Sequence, residues 1–279
     1  MRPIYVSASQ LHDWQDCERK WLMGRLYEPL WTAWSLVFGS ILHEAINLYL
    51  LGQFYGFKTN PDEAFRRAFD KRMKGGKVTW STKFSPRDVH RMGRRMIGEF
   101  IETWRSEGLQ VVAHKGSPLL EAKHKIHLGR SIILTGFVDC IAWSPKHGLV
   151  IIDFKTAASW SEPWFAKVSP QLSAYILLFE DLLGRKVDKV GFFEMKKNKL
   201  KRTPAHLNVV PRHAQGQLDH TVEQIHWMAD DIRRRRFPAR VRMAWNSPCT
   251  GCDFQAICHE GQESAYRKKR SIAEFLKAA

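Results

Sequence analysis

Two stretches decide the reading: IILTGFVDCIAW at residues 132–143 and LVIIDFKT at residues 149–156. Both are apolar runs rich in β-branched and aromatic residues, so they predict neighbouring strands. A helix is expected after them over 169–183. Asp139 interrupts the first run, and Asp153 and Lys155 interrupt the second. Side chains alternate along a strand, so Asp153 and Lys155 share one face while Ile152 and Phe154 take the other. A carboxylate and an ammonium among Leu, Val and Ile are costly to bury unless they are paired or bound to metal. A plain Asp–Lys ion pair satisfies them in one way. A divalent-metal site with an adjacent lysine satisfies them in another, and the neighbouring residues favour it.

Those neighbours carry a resemblance. Gly136-Phe137-Val138-Asp139, Asp153-Phe154-Lys155 and Gln171-Leu172-Ser173-Ala174-Tyr175 resemble, in order, the G-x-x-D, D-x-K and Q-x-x-x-Y motifs of RecB-like nucleases in the PD-(D/E)XK superfamily. The upstream histidine that these nucleases carry on a helix is matched by His43, in Gly39-Ser40-Ile41-Leu42-His43-Glu44. Val138 stands where the name-giving proline would be. The resemblance implies an α/β fold with a restriction-endonuclease-like core, a central mixed sheet flanked by helices. It implies that Asp139, Asp153, Lys155, Gln171 and Tyr175 are catalytic. It also implies that His43, Asp139, Asp153 and the backbone carbonyl of Phe154 hold Mn2+ or Mg2+. A nitrogen ligand favours Mn2+ more than an all-oxygen site would. Glu121, in a strand expected over 119–128, needs no special role as a surface residue, yet it is placed to reach the same metal.

The composition fits a nucleic-acid enzyme. The chain has 279 residues, and 44 Lys and Arg against 28 Asp and Glu give a net charge of +16. A polyanion is the natural partner for such a surface. A hydrophobic content of 44% is ample for a core in one large domain. No apolar run is read as long enough to cross a bilayer, the first residues do not resemble a signal peptide, and no internal repeat is visible. Five cysteines then suggest a reducing compartment and metal or redox chemistry rather than disulfides. A cytoplasmic location, in a bacterium, an archaeon or a virus-infected cell, is the expectation.

Along the chain, a helix is expected from the start, capped by Ser7 or Ser9, with Leu11, Trp14, Trp21 and Leu22 as its apolar stripe. A central helix over 36–54 is apolar almost all round, with His43 and Glu44 as polar exceptions. Asn60-Pro61 and Ser85-Pro86 start two more helices. Arg87, Arg91, Arg94 and Arg95 on the second of these read equally well as a solvated face or as phosphate contacts. A basic, mobile loop is expected over 75–83. Strands over 187–195 and 205–210 predict a hairpin whose connection carries Lys196, Lys197, Lys199, Lys201 and Arg202, a charge cluster suited to a strand of phosphates. A long helix over 213–236 ends in Arg233 to Arg236, where the helix dipole favours cations.

The cysteines form the last pattern. Cys249-Thr250-Gly251-Cys252 lets a tight turn direct two thiolates to one centre, and Cys258 follows. A fourth ligand is needed, with Cys17 and His259 as candidates. Cys140 is assigned to a core strand. Four thiolates hold zinc or an iron–sulfur cluster, and ligand count does not separate them. The iron–sulfur subgroup of RecB-like nucleases, which includes AddB and the CRISPR-adaptation nucleases, has one N-terminal cysteine and a C-terminal C-x2-C-x5-C. Cys17, Cys249, Cys252 and Cys258 match that pattern, which implies a 4Fe–4S cluster acting as a structural clip between the chain ends. The expected organisation is one nuclease domain over 1–279. Residues 1–35 and 240–262 would form the iron–sulfur lobe, 36–239 the helical insert and nuclease core, and 263–279 a basic tail.

The resemblance implies a metal-dependent DNA nuclease, an exonuclease on single-stranded or resected ends, of 5′→3′ polarity in many relatives, working with recombination or DNA-processing partners. The alternatives are an endonuclease or end-trimming factor in spacer acquisition, a catalytically silent DNA-binding scaffold, and a zinc-clipped RNA-binding protein.

Overall fold

The computed structural model describes residues 3–74, 77–80, 82–199, 202–240, 247, 249 and 251–278. Its mixed sheet is built from β1 (Ile4–Ser7), β2 (Gln110–Val111), β3 (Leu120–His127), β4 (Ile132–Ser144), β5 (Gly148–Ala157), β6 (Lys189–Lys196) and β7 (His206–Pro211). The two apolar runs of the sequence are β4 and β5, found within a residue or so of their expected limits. β4 is the axis. On one edge it pairs antiparallel with β3, from Leu120↔Cys140 to His127↔Ile133, and with β2. On the other edge it meets β1 in parallel at Ile132–Thr135 and β5 antiparallel at Cys140–Ser144. Between them, residues 136–139 have no strand partner on that edge among the described residues. β5 runs on beside β6 in parallel as far as Ala157↔Lys196, and β6 pairs antiparallel with β7 as the expected hairpin.

Helices cover both faces. On one side lie α1 (Ala8–Asp16), α2 (Glu18–Leu26) and, from later in the chain, Pro170–Leu183 and Gln215–Arg233, packing Leu11, Trp21, Ile141, Ile151, Phe179 and Ile225 into one core. On the other side α3 (Trp34–Tyr55), α4 (Pro61–Phe69) and α5 (Pro86–Ser106) pack Phe38, Ile46, Phe65, Phe100, Ile152 and Phe193 into a second. The caps read from sequence are present. Asn60 accepts the Glu63 N–H at 3.1 Å, and Ser85 and Asp88 form a reciprocal capping box.

Four expectations need correction. The N-terminus does not open a helix at once, because β1 comes first; Ser7 then caps α1 by accepting the Gln10 N–H. The single N-terminal helix is two, broken at Cys17, whose backbone is extended. The 22 residues of α3 do have the length and apolarity of a membrane span, contrary to the sequence reading. Here that apolar surface fills the second core, with Phe38, Ile41, Leu42 and Ile46 fully buried. The segment expected as a basic tail folds back. Tyr266–Lys268 pairs antiparallel with Tyr27–Pro29, and a closing helix, Ile272–Ala278, sets Phe275 5.7 Å from Trp21. Within the expected basic loop, Val78–Thr79 pairs with Thr32–Ala33, while Gly75, Gly76 and Ser81 lie outside the described residues.

Candidate active site

β4 and β5 part at the acids. Their last pair is Ile152↔Cys140, and the next facing positions are Asp153 and Asp139. Asp139 closes the fork with its side chain, Oδ2 accepting the Phe154 N–H at 2.6 Å. From the other edge of β4, Glu121 takes the position facing Asp139, between Leu120↔Cys140 and Ala122↔Val138. Three acids therefore stand in one row across β3, β4 and β5. The Glu121 backbone is left-handed, with φ +46°, a conformation that costs a non-glycine residue of the order of 1–3 kcal/mol and tends to mark functional sites.

α3 brings His43 to this row, with Nδ1 3.9 Å from Asp139 Oδ1 and the ring 5.9 Å from that of Phe154. Ligand atoms of His43, Glu121 and Asp139 all lie within 4.8 Å of one another. Asn47, one turn along α3, donates to Glu121 Oε1 at 3.1 Å. Burial holds the His43 imidazole below its usual pKa despite the nearby Asp153 and Glu121, so its nitrogen lone pair is free for a cation at neutral pH. Burial, and then the Asp153 charge, push Asp139 well above the usual carboxylate range.

The next helices, α6 (Pro163–Val168) and α7 (Pro170–Leu183), close the site from the first-core face. Ser169 caps α7 and sets Gln171 and Tyr175 one turn apart. Gln171 Nε2 donates to Asp153 Oδ1 at 3.1 Å and to Tyr175 Oη at 2.9 Å, and its Oε1 accepts from Lys155 Nζ at 3.4 Å. Tyr175 Oη donates to Asp153 Oδ1 at 3.4 Å; burial and that carboxylate push the phenol upward, so it stays protonated. Asp153 Oδ2 is buried and takes no well-directed hydrogen bond, although Lys155 Nζ lies 2.6 Å away. The plain ion pair of the sequence reading is thus present, and it lies beside two further acids.

The family model of the PD-(D/E)XK nuclease superfamily matches residues 5–259. The chain belongs to this superfamily. Nucleases of this superfamily use divalent metals, and His43, Glu121 and Asp139 are close enough together to offer ligands to one here. Among solved structures, the nuclease is similar to a Eubacterium rectale protein named "Putative exonuclease", with 12% identity over 86% of each chain and a TM-score of 0.47. It is also similar to SSO0001, with 12% identity over 90% of this chain and 95% of that one, at a TM-score of 0.37. No curated protein matches the sequence.

The nuclease's cysteines line a second site. Cys17, Cys249, Cys252 and Cys258 share one cavity with Arg19, Lys20 and His259. The turn expected at 249–252 is made, Cys252 N–H donating to the Cys249 carbonyl at 3.2 Å with Gly251 at φ +77°. No three cysteine sulfurs among the described residues lie within 4.8 Å of one another. Burial raises the Cys252 and Cys258 thiols, opposed by Lys20 and Arg19 respectively. Cys140 is a fully buried residue of the second core, as expected.

Two cations of the expected basic hairpin have acidic partners within the chain. Lys199 lies 3.5 Å from Asp88, Arg202 pairs with Glu102, Lys197 is half-buried with its pKa lowered by burial, and Lys201 lies outside the described residues. Lys196 stands 5.5 Å from the Trp160 ring. The arginine face of α5 is likewise engaged: Arg91 with Asp88, Arg94 with Asp62, and Arg95 with Glu99. The sequence reading missed the surface beside Lys155, where Trp160, Trp164 and Phe165 line a cavity of about 480 Å³. Three large aromatics within WSEPWF, between a strand and a helix, were the available signal.

Proposed function

We propose that this member of the superfamily is a metal-dependent deoxyribonuclease, acting as a 5′→3′ exonuclease on single-stranded or resected DNA ends. The observation that carries the reading is the row Glu121, Asp139 and Asp153 on three neighbouring strands, with a neutral His43 on one side and Lys155 on the other. The donor set fits a divalent cation. Carboxylate oxygens and one imidazole are ligands that such ions accept, and His43, Glu121 and Asp139 offer three of them within 4.8 Å of one another.

Asp139, Asp153, His43, the Phe154 carbonyl and Glu121 are the proposed ligands. When bound, a divalent cation supplies charge to offset that of the scissile phosphate and lowers the pKa of water in contact with it. Lys155, held by Gln171, keeps an ammonium at the edge of the site, where it stabilises negative charge developing on phosphate oxygens. Gln171 and the protonated Tyr175 fix one oxygen of Asp153, and Lys155 Nζ lies 2.6 Å from the other. The 5′→3′ polarity rests on the resemblance to RecB-like nucleases alone.

The cysteine site is proposed to hold a 4Fe–4S cluster in a lobe joining the chain ends, and the four thiols around one cavity support this.

The decisive experiment incubates the pure protein and its Asp153→Ala variant with end-labelled single- and double-stranded DNA in Mn2+, in Mg2+ and in chelator. Metal-dependent shortening from the 5′ end by the wild type alone is expected. A catalytically silent scaffold would bind and leave every strand intact, and an endonuclease would cut circular single strands.

A further inference from the structure

Trp164 and Phe165 are 61% and 45% exposed, and Val168, on the same short helix, is also exposed. Adjacent exposed apolar side chains of this size mark an interaction surface. This one is continuous with the candidate active site. Lys155 Nζ lies 5.8 Å from the Phe192 ring centre, Phe192 lies 5.8 Å from Phe165, and Phe165 meets Trp164 edge-on at 6.1 Å. Lys155, Trp160, Trp164 and Phe165 line one open cavity.

The loop that carries these rings is fixed from beneath by buried polar groups. Glu194, 3% exposed on β6, accepts the Ser161 N–H at 3.1 and 3.3 Å. Asn208, 4% exposed on β7, donates to Ser161 Oγ at 2.8 Å and approaches the Ser161 and Glu162 carbonyls at 3.4 Å. Pro163 then starts α6 with its φ already set. Such anchoring removes the entropy cost of ordering the rings when something binds.

We infer that Trp160, Trp164 and Phe165 form a base-stacking platform for the unpaired strand of a DNA substrate leaving the site past Lys155. The choice of DNA rests on the proposed nuclease function; the platform rests on the rings and their anchors. Aromatic side chains beside cations are how proteins hold single strands without reading sequence, since every unpaired base offers a π-face. A paired base hides that face, so duplex gains nothing here. Lys155 and Lys196 flank the rings and suit a phosphate chain. Of the two acids in the cavity wall, Glu194 is committed to Ser161, which leaves Glu162 at the rim. An apolar protein partner would leave the Lys196 ammonium facing apolar surface.

The test measures binding of the full chain to a fluorescent oligothymidylate and to a hairpin duplex in chelator, across a salt series. Trp164→Ala/Phe165→Ala should weaken single-strand binding at least tenfold. The slope of log affinity against log salt should be unchanged, because stacking neutralises no phosphate. Duplex affinity should stay within twofold. Trp164→Phe should restore most of the single-strand affinity, which separates stacking from misfolding, and unfolding midpoints confirm that each variant is folded. An affinity within twofold of wild type, or an equal loss on duplex, overturns the inference. So does sedimentation showing that the double variant abolishes self-association instead. If the wild type cleaves DNA and the variant binds normally, only the platform falls. If the variant loses single-strand affinity but the wild type never cleaves, only the nuclease reading falls.

Discussion

Asp139 and Asp153 face each other across β4 and β5, one step beyond the last paired residues, Cys140 and Ile152. Two carboxylates at facing positions repel, and they sit where the ladder has already opened. Without a cation, one relief is to keep Asp139 protonated, which agrees with its raised pKa.

The metal-free protein should therefore gain stability from Asp139→Asn, which removes the repulsion and keeps an oxygen for the Phe154 N–H. Adding Mn2+ should raise the unfolding midpoint of the wild type and leave that of the variant nearly unmoved. A thermal melt of both proteins with and without Mn2+ checks this. An equal Mn2+ response in both would remove Asp139 from the ligand set.

Lys155→Ala should lower kcat about 100-fold or more, the scale for losing one charge-stabilising group, with DNA affinity within a few-fold of wild type. Gln171→Ala should lower it less, since the contacts of Gln171 are to Asp153 and Lys155. Single-turnover cleavage at saturating protein separates the two.

On the basic hairpin, Lys196→Glu should reduce the salt slope of DNA binding by about one unit. Arg202→Glu should change the slope little, because that guanidinium is already paired with Glu102. If Arg202→Glu flattens the slope as much, the Glu102 pair opens when DNA binds.

Cys17→Ala should lose iron and visible absorbance while Cys140→Ala keeps both. The chain ends are also held by Tyr27–Pro29 against Tyr266–Lys268, by Trp21 against Phe275, and by Arg240 on Glu18 at 2.7 Å. A colourless Cys17→Ala protein should for that reason stay folded and sediment as the wild type does, as sedimentation and circular dichroism would show. Colour retained in Cys17→Ala and lost in Cys140→Ala would reverse the ligand assignment.

Outside the acid row, His213 gives the fold a pH dependence. It is buried, its Nδ1 lies 2.8 Å from Ser173 Oγ and its Nε2 2.9 Å from the Ala166 carbonyl, and burial lowers its pKa. Its neutral form is favoured by folding, so its contribution is complete above the unfolded value of about 6.5 and is lost as pH falls below it. Urea midpoints at pH 7.5 and pH 5 should differ less in His213→Gln than in the wild type.

Strands β3 to β7, α7, and the positions of Asp139 and Asp153 were legible because each rests on local pattern: apolar runs, proline and serine caps, charges where a core wants none. Glu121 was legible only as a residue within reach, since its left-handed backbone and its position facing Asp139 arise from strand register. β1 was not legible. It is four residues long, and its partner at Ile132–Thr135 is more than a hundred residues away. The break at Cys17 was hidden because the apolar stripe continues through it, from Trp14 to Trp21. The hairpin charges looked free because Asp88 and Glu102, which meet Lys199 and Arg202, lie about a hundred residues upstream.

The site draws His43 and Asn47 from the helical layer on one face of the sheet, and Gln171 and Tyr175 from the layer on the other. It works as a seal between two halves of the molecule. Loosening either layer by a turn of helix would scatter the ligands while most secondary structure survived, so on warming, cutting should fail well before the circular dichroism does.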